Sequence, residues 1–158
     1  MKHIFKLLKV IHLMSLAVFI GSIITYIFIS AMIENASIND INAGRKIIAE
    51  GTGGLTMPAL WLMIFTGVIS GIKKFGFRSR LFQIKTAFAA ALLINAYLFI
   101  IPAVNEATEI ALQSAEILPA EYYTAYMKES VFGAVNVIIT VAVMILAVWK
   151  NDRLQMSK

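Results

Sequence analysis

Long apolar runs separated by short polar stretches set the first expectation for this chain. The runs fall at about 5–31, 55–72, 79–103 and 130–149. None alternates apolar and polar residues with the period of two that a lipid-facing strand requires. Each holds roughly twenty residues, and at 1.5 Å per residue that length spans about 30 Å of hydrocarbon. The pattern predicts an all-α, integral membrane four-helix bundle, with a single transmembrane domain over residues 1–158.

The stretches between the runs predict the connections. Residues 32–54 contain NDINAG and GTGG, both rich in helix breakers, with GRKIIAE between them as a short turn of surface helix. GIKKFGFRSR is too short for more than a turn, so the second and third helices are antiparallel neighbours. NEATEIALQSAEI continues from the third span without a breaker until Pro119, and EYYTAYMKES leads into the fourth. Helices 3 and 4 are therefore expected to extend beyond the bilayer on the outer side. Pro119 then lies near the tip, and Tyr122, Tyr123 and Tyr126 fall in or above the interfacial zone.

Composition sharpens the class. Of the 158 residues 59% are hydrophobic and only 15% charged, more apolar material than a water-soluble domain of this size can bury. The first run is too long for a cleaved leader and has no small-residue cleavage pattern. The chain contains no cysteine, which removes disulfides, iron–sulfur ligation by thiolates and thiolate metal sites.

A net charge of +5 acquires meaning once the charges are placed. Lys2, Lys6, Lys9, Lys73, Lys74, Arg78, Arg80, Lys85, Lys150, Arg153 and Lys158 gather at one side, with Asp152 their only acid. The other side sets Arg45, Lys46 and Lys128 against Glu34, Asp40, Glu50, Glu106, Glu109, Glu116, Glu121 and Glu129. The positive-inside rule then orients both the N and C termini to the cytoplasm. The expected location is a cell membrane, multi-pass, of the bacterial or archaeal cytoplasmic type. The basic residues are split over three membrane-edge segments without a base-stacking platform, which argues against nucleic acid as a partner.

In lipid, helix contacts are marked by small and polar residues. His12, Ser15, Phe19, Ser22, Tyr26 and Ser30 share a face of the first helix, and Gly67, Ser70 and Gly71 thin the second. Lys85, Ala89, Leu92 and Ala96 align on the third, with Asn95 on their flank, and Gly133, Asn136, Thr140 and Met144 align on the fourth. Each helix thus offers one stripe to a bundle. Asn95 and Asn136 read either as helix-to-helix hydrogen bonds or as ligand contacts.

His12 and Lys85 carry the candidate chemistry. Each begins about 10 Å inside the cytoplasmic end of its helix, so the two share a layer. Intramembrane ionisable groups are costly without a partner or a task, and no carboxylate is expected at that depth. Lys85 has an alternative in snorkelling to the headgroups, and His12 in a neutral ring bonded to a serine or a carbonyl. An anionic ligand with its own carboxylates answers the charge deficit. Haem does so, offering iron to His12 and propionates to basic groups, with Lys85 a conceivable second ligand. A quinone is a second candidate. Copper is a weaker one, completed only by distant methionines such as Met63 or Met144.

LLKVIHLMSLAVFIG (7–21), GLTMPALWLMIFTGVISG (54–71) and SRLFQIKTAFAAALLINAYLF (79–99) together resemble the first three spans of a small four-helix membrane family. That family contains the HemJ-type protoporphyrinogen oxidases, and the CopD-type copper-resistance domains share its broader pattern. The resemblance rests on His12, on Pro58-Ala59 with Gly67, and on Lys85. It implies haem b associated with His12 and Lys85 and oxidation of a hydrophobic redox substrate, protoporphyrinogen in the enzymes themselves. This chain departs from the pattern where INAYLF around Asn95 lacks a further histidine, and Asn105-Glu106 follows the third span rather than leading into the last.

The leading expectation is a haem b-binding, redox-linked membrane protein whose site draws on His12, Lys85, Ser15, Asn95 and Asn136. A non-enzymatic membrane subunit or scaffold without cofactor is the first alternative. A copper-handling or small transport protein is the second. The bilayer is the obvious partner, with a homo-oligomer or a larger membrane complex compatible with the chain's small size.

Overall fold

The computed structural model describes residues 2–155, all helical apart from short connections. Side chains are described for residues 3–147, so those of Lys2, Lys150, Asp152, Arg153 and Lys158, which enter the charge pattern, lie outside the described residues. Four rods make up the fold. The first is α1 (Lys2–Ile33). The second joins α2 (Ile38–Gly51) to α3 (Met57–Phe75), and the third joins α4 (Arg80–Asn95) to α5 (Ile101–Gln113). The fourth is α6 (Ala120–Gln155). All four rods are long and apolar enough to cross a membrane, and no strand occurs among the described residues. The chain is a four-helix integral membrane protein.

The second and third rods stay continuous through a wide π turn, Thr52–Thr56 in one and Ala96–Ile100 in the other. Each turn precedes a proline, Pro58 or Pro102, that has no N–H for the carbonyl four residues back and whose ring crowds that carbonyl. Widening the helix relieves the crowding: Met57 N–H reaches Thr52 O, and Ile101 N–H reaches Ala96 O, each five residues back.

GTGG therefore does not end a loop. Its glycines cost about 1 kcal/mol each within a helix, but the same turn seats Thr52 and Thr56 in the interior, where Thr56 Oγ1 donates to Ser22 Oγ on α1 at 2.8 Å. NDINAG and GRKIIAE likewise belong to one helix rather than to a loop with a surface turn. Ser37 starts that helix, its hydroxyl accepting from Asp40 N–H at 3.3 Å and donating to Asp40 Oδ2 at 2.6 Å.

Small residues let α1 and the second rod lie close. A methyl group at Gly44 would stand 2.8 Å from Ile33 Cδ1, and one at Gly51 would collide with the Tyr26 hydroxyl. The stripe expected on α1 is the one that faces inward, with Ser15, Phe19, Ser22 and Ser30 all buried. Phe19 joins Met57, Leu60, Met63, Leu92 and Ala96 in the main apolar core. The start of α1 and the α3–α4 turn share one end of the bundle, where the Lys73 ammonium lies over the Phe5 ring.

At the opposite end the expectation was a hairpin of the third and fourth helices. The structure does pack α5 against α6 there, and α2 joins them as a third helix, lying on α5 and linked to α6 through Arg45 and Glu129. Ile41, Ala107, Ala111, Tyr122 and Ala125 form the core of this unit.

Candidate functional site

Two polar layers lie inside the bundle, and they are built on different terms. The first centres on His12. Its Nδ1 stands 2.8 Å from Met63 O and 3.2 Å from Thr66 Oγ1. A carbonyl can only accept, so Nδ1 carries the hydrogen and donates it to Met63 O. Thr66 Oγ1 directs its own proton to Leu62 O at 2.6 Å and leaves a lone pair towards the ring. In the neutral imidazole this leaves Nε2 with a free lone pair, and Nε2 has no hydrogen-bond partner among the described residues. The ring rests on Gly67, where a Cβ would come within 3.0 Å of its Cε1. Met63, Thr66 and Gly67 thus form a seat on α3 that sets the tautomer and the pitch of the ring.

Lys85 enters the same neighbourhood from α4. Its ammonium lies 5.9 Å from the centroid of Phe75, and Lys74 lies 5.1 Å from that ring on the same residue. Lys85 is half-buried on α4. It has no salt bridge among the described residues, whose ion pairs are Arg45–Glu129 and Lys128–Glu106.

Asn95 and Asn136 are brought to each other rather than to the histidine. Asn95 Nδ2 donates to Asn136 Oδ1 at 2.7 Å and to Phe132 O at 2.8 Å, locking α4 to α6 just before the π turn. Ser15 is buried one turn along α1 from His12 and makes no side-chain hydrogen bond among the described residues. His3, the other histidine, is exposed near the start of the same helix. No group of three or more His, Cys, Asp or Glu side chains capable of enclosing a metal ion occurs among the described residues.

Arg45 anchors the second layer, which sequence reasoning missed by assigning this residue to a surface turn. Its side chain is 0% exposed. Nη2 donates to Glu129 Oε2 at 2.6 Å and to Val104 O at 3.2 Å, tying α2 to α6 and to α5. Thr108 Oγ1 donates to Val104 O at 2.7 Å beside it. The signal was present in the periodicity: Ile41, Gly44, Arg45 and Ile48 recur at three- and four-residue steps and are the buried face of α2. An arginine inside that stripe, with Glu129 among the acids on the same side of the chain, is the pattern of an interior ion pair.

Compared with known proteins, the chain matches no family model, and no curated protein or solved structure is significantly similar to it.

Proposed function

We propose that this protein binds haem b through His12 and serves in electron transfer with a hydrophobic redox partner, in the manner of the HemJ-type proteins whose first three spans it resembles. The observation that carries the reading is the bond from His12 Nδ1–H to the Met63 carbonyl. A histidine that ligates iron through Nε2 characteristically spends its other N–H on a carbonyl or a carboxylate, which fixes the ring and raises its basicity. The residues fit the group in a second respect. Lys85 is a basic side chain without a protein carboxylate among the described residues, suited to a propionate. Bound haem would supply one-electron chemistry that no side chain here offers. The chain's own part is to hold the imidazole against Met63 and Gly67 and to provide positive charge from Lys85.

Topology belongs to the same proposal. The basic clusters orient both termini to the cytoplasm by the positive-inside rule, which puts His12 and Lys85 in the cytoplasmic half of the membrane. Roughly 36 Å of helix separates Arg80 from Val104, more than the ~30 Å hydrocarbon core. The Arg45–Glu129 layer then belongs to an outer extension made of α2, α5 and the start of α6. Trp61 and Tyr97, whose side chains share a 3.0 Å hydrogen bond on the exposed surface, suit the outer interface.

The deciding experiment is an absorbance spectrum of gently purified protein, before and after dithionite, followed by haem titration of any colourless preparation. A Soret band at roughly 400–430 nm that sharpens on reduction is expected, and it should be lost in His12→Ala. Protein that stays colourless through the titration, while folded and monodisperse, rejects the reading and leaves the cofactor-free membrane subunit. Copper by elemental analysis without a Soret band would favour the metal-handling alternative.

A further inference from the structure

The Arg45–Glu129 layer leaves a set of polar atoms that the protein itself does not satisfy. A guanidinium has five N–H donors in a rigid plane, and Arg45 uses only those of Nη2. Nε and Nη1 are buried and have no hydrogen-bond partner among the described residues, and neither has Asn42 Oδ1, one turn back on α2. Leaving a buried charged donor unpaired costs more than the net value of an ordinary hydrogen bond, so atoms this deep demand acceptors. We infer that the α2–α5–α6 layer is a hydration site, holding at least two internal water molecules, one on Nε–H and one on the Nη1 hydrogens.

Two observations favour water over an anion. The first is geometric: Nε–H lies on the edge of the guanidinium beside Nη2, whereas the Nη1 hydrogens point along its other edges. No single carboxylate or phosphate can grip both as a fork, but separate small molecules can. The second is chemical: the unpaired set mixes donors with an acceptor. An anion accepting from Arg45 would repel Asn42 Oδ1, while a water accepts from the one and donates to the other. Charge agrees, since Glu129 already neutralises Arg45. The Glu129 side chain, 13% exposed, lies at the edge of the layer and gives the waters a route of exchange.

The test is a structure of the whole protein in lipid nanodiscs or crystals at a resolution that shows water, with a parallel bromide soak as the anion probe. Ordered peaks about 2.7–3.2 Å from Nε and from Nη1, without anomalous signal in bromide, are expected. A bromide peak on the guanidinium overturns the proposal in favour of an anion site. A rotated guanidinium that gives Nε and Nη1 to protein oxygens overturns it altogether. A thermal measurement provides a second reading. Asn42→Leu should lower the melting temperature by about 2–4 °C in the wild-type protein, and it should have no such effect in the Arg45→Met/Glu129→Leu background, where the water has no guanidinium to bridge to. Equal shifts in both backgrounds would defeat it.

Discussion

The two interior polar layers of this bundle differ in who supplies the counter-charge. At the Arg45 layer the protein does so itself: Glu129 meets the guanidinium at 2.6 Å, and the Val104 carbonyl accepts from the same Nη2. At the His12 layer no protein carboxylate reaches Lys85 among the described residues, and the imidazole keeps one nitrogen free. One layer spends its charges on joining three helices. The other holds its polar atoms ready without consuming them, which is the condition a ligand requires. The contrast teaches that a buried charge marks function only where its partners do not already account for it.

The comparison breaks most readily at Glu129. Glu129→Leu strands a buried guanidinium and should destabilise the protein by about 3–5 kcal/mol, with much of the loss recovered when Arg45→Met is added. Denaturant or thermal unfolding in detergent reads both, and a Glu129→Leu protein as stable as wild type would mean that the layer is not a clamp. Next in size is Gly51→Ala, whose methyl meets the Tyr26 hydroxyl. It should cost about 1–3 kcal/mol by overpacking. Because that hydroxyl is itself buried and has no hydrogen-bond partner among the described residues, adding Tyr26→Phe should recover part of the loss, with the ring Cζ still 2.9 Å from the new methyl.

Smaller effects sharpen the contrast from the other side. Asn95→Leu removes two interhelical hydrogen bonds. Such bonds are worth about 0.6–1.7 kcal/mol between membrane helices, so a modest drop in melting temperature with retained haem binding is expected. Loss of haem with unchanged stability would instead move Asn95 into the cofactor site. His12→Ala should be the mildest for stability, about 0.5–1.5 kcal/mol for its bond to Met63. It should nevertheless abolish the Soret band outright. A His12→Ala protein that keeps its colour, or one that fails to fold, would erase the distinction between the two layers.

Much of the bundle could be read before any coordinates. The face of α1 carrying Ser15, Phe19, Ser22 and Ser30 is buried as its spacing implied, because small and polar residues have no reason to face lipid when a helix contact is available. Asn136 and Thr140 follow the same logic on α6. The second rod was less legible. Two glycines and a proline argue locally for a break, and only the packing of Thr52, Thr56 and Met57 against the rest of the bundle keeps the helix running through a π turn. The start of α2 at Ser37 went unread, although its hydroxyl accepts from Asp40 N–H three residues on. For the candidate site, the sequence placed His12 and Lys85 at a common depth, but their neighbours Met63, Thr66 and Gly67 could not be assigned from one helix alone.

What the sequence determined by itself is the class: helices of membrane length, their number, and the separation of basic from acidic ends. These follow from the solvent, since lipid demands apolar side chains and internally satisfied backbone over a known thickness. What tertiary structure decided is the state of each polar group inside. Whether Arg45 is sealed or solvated, and which nitrogen of His12 carries the hydrogen, depends on atoms from other helices arriving within about 3 Å. A linear pattern fixes which face a residue occupies on its own helix, but not which carbonyl or carboxylate will meet it there.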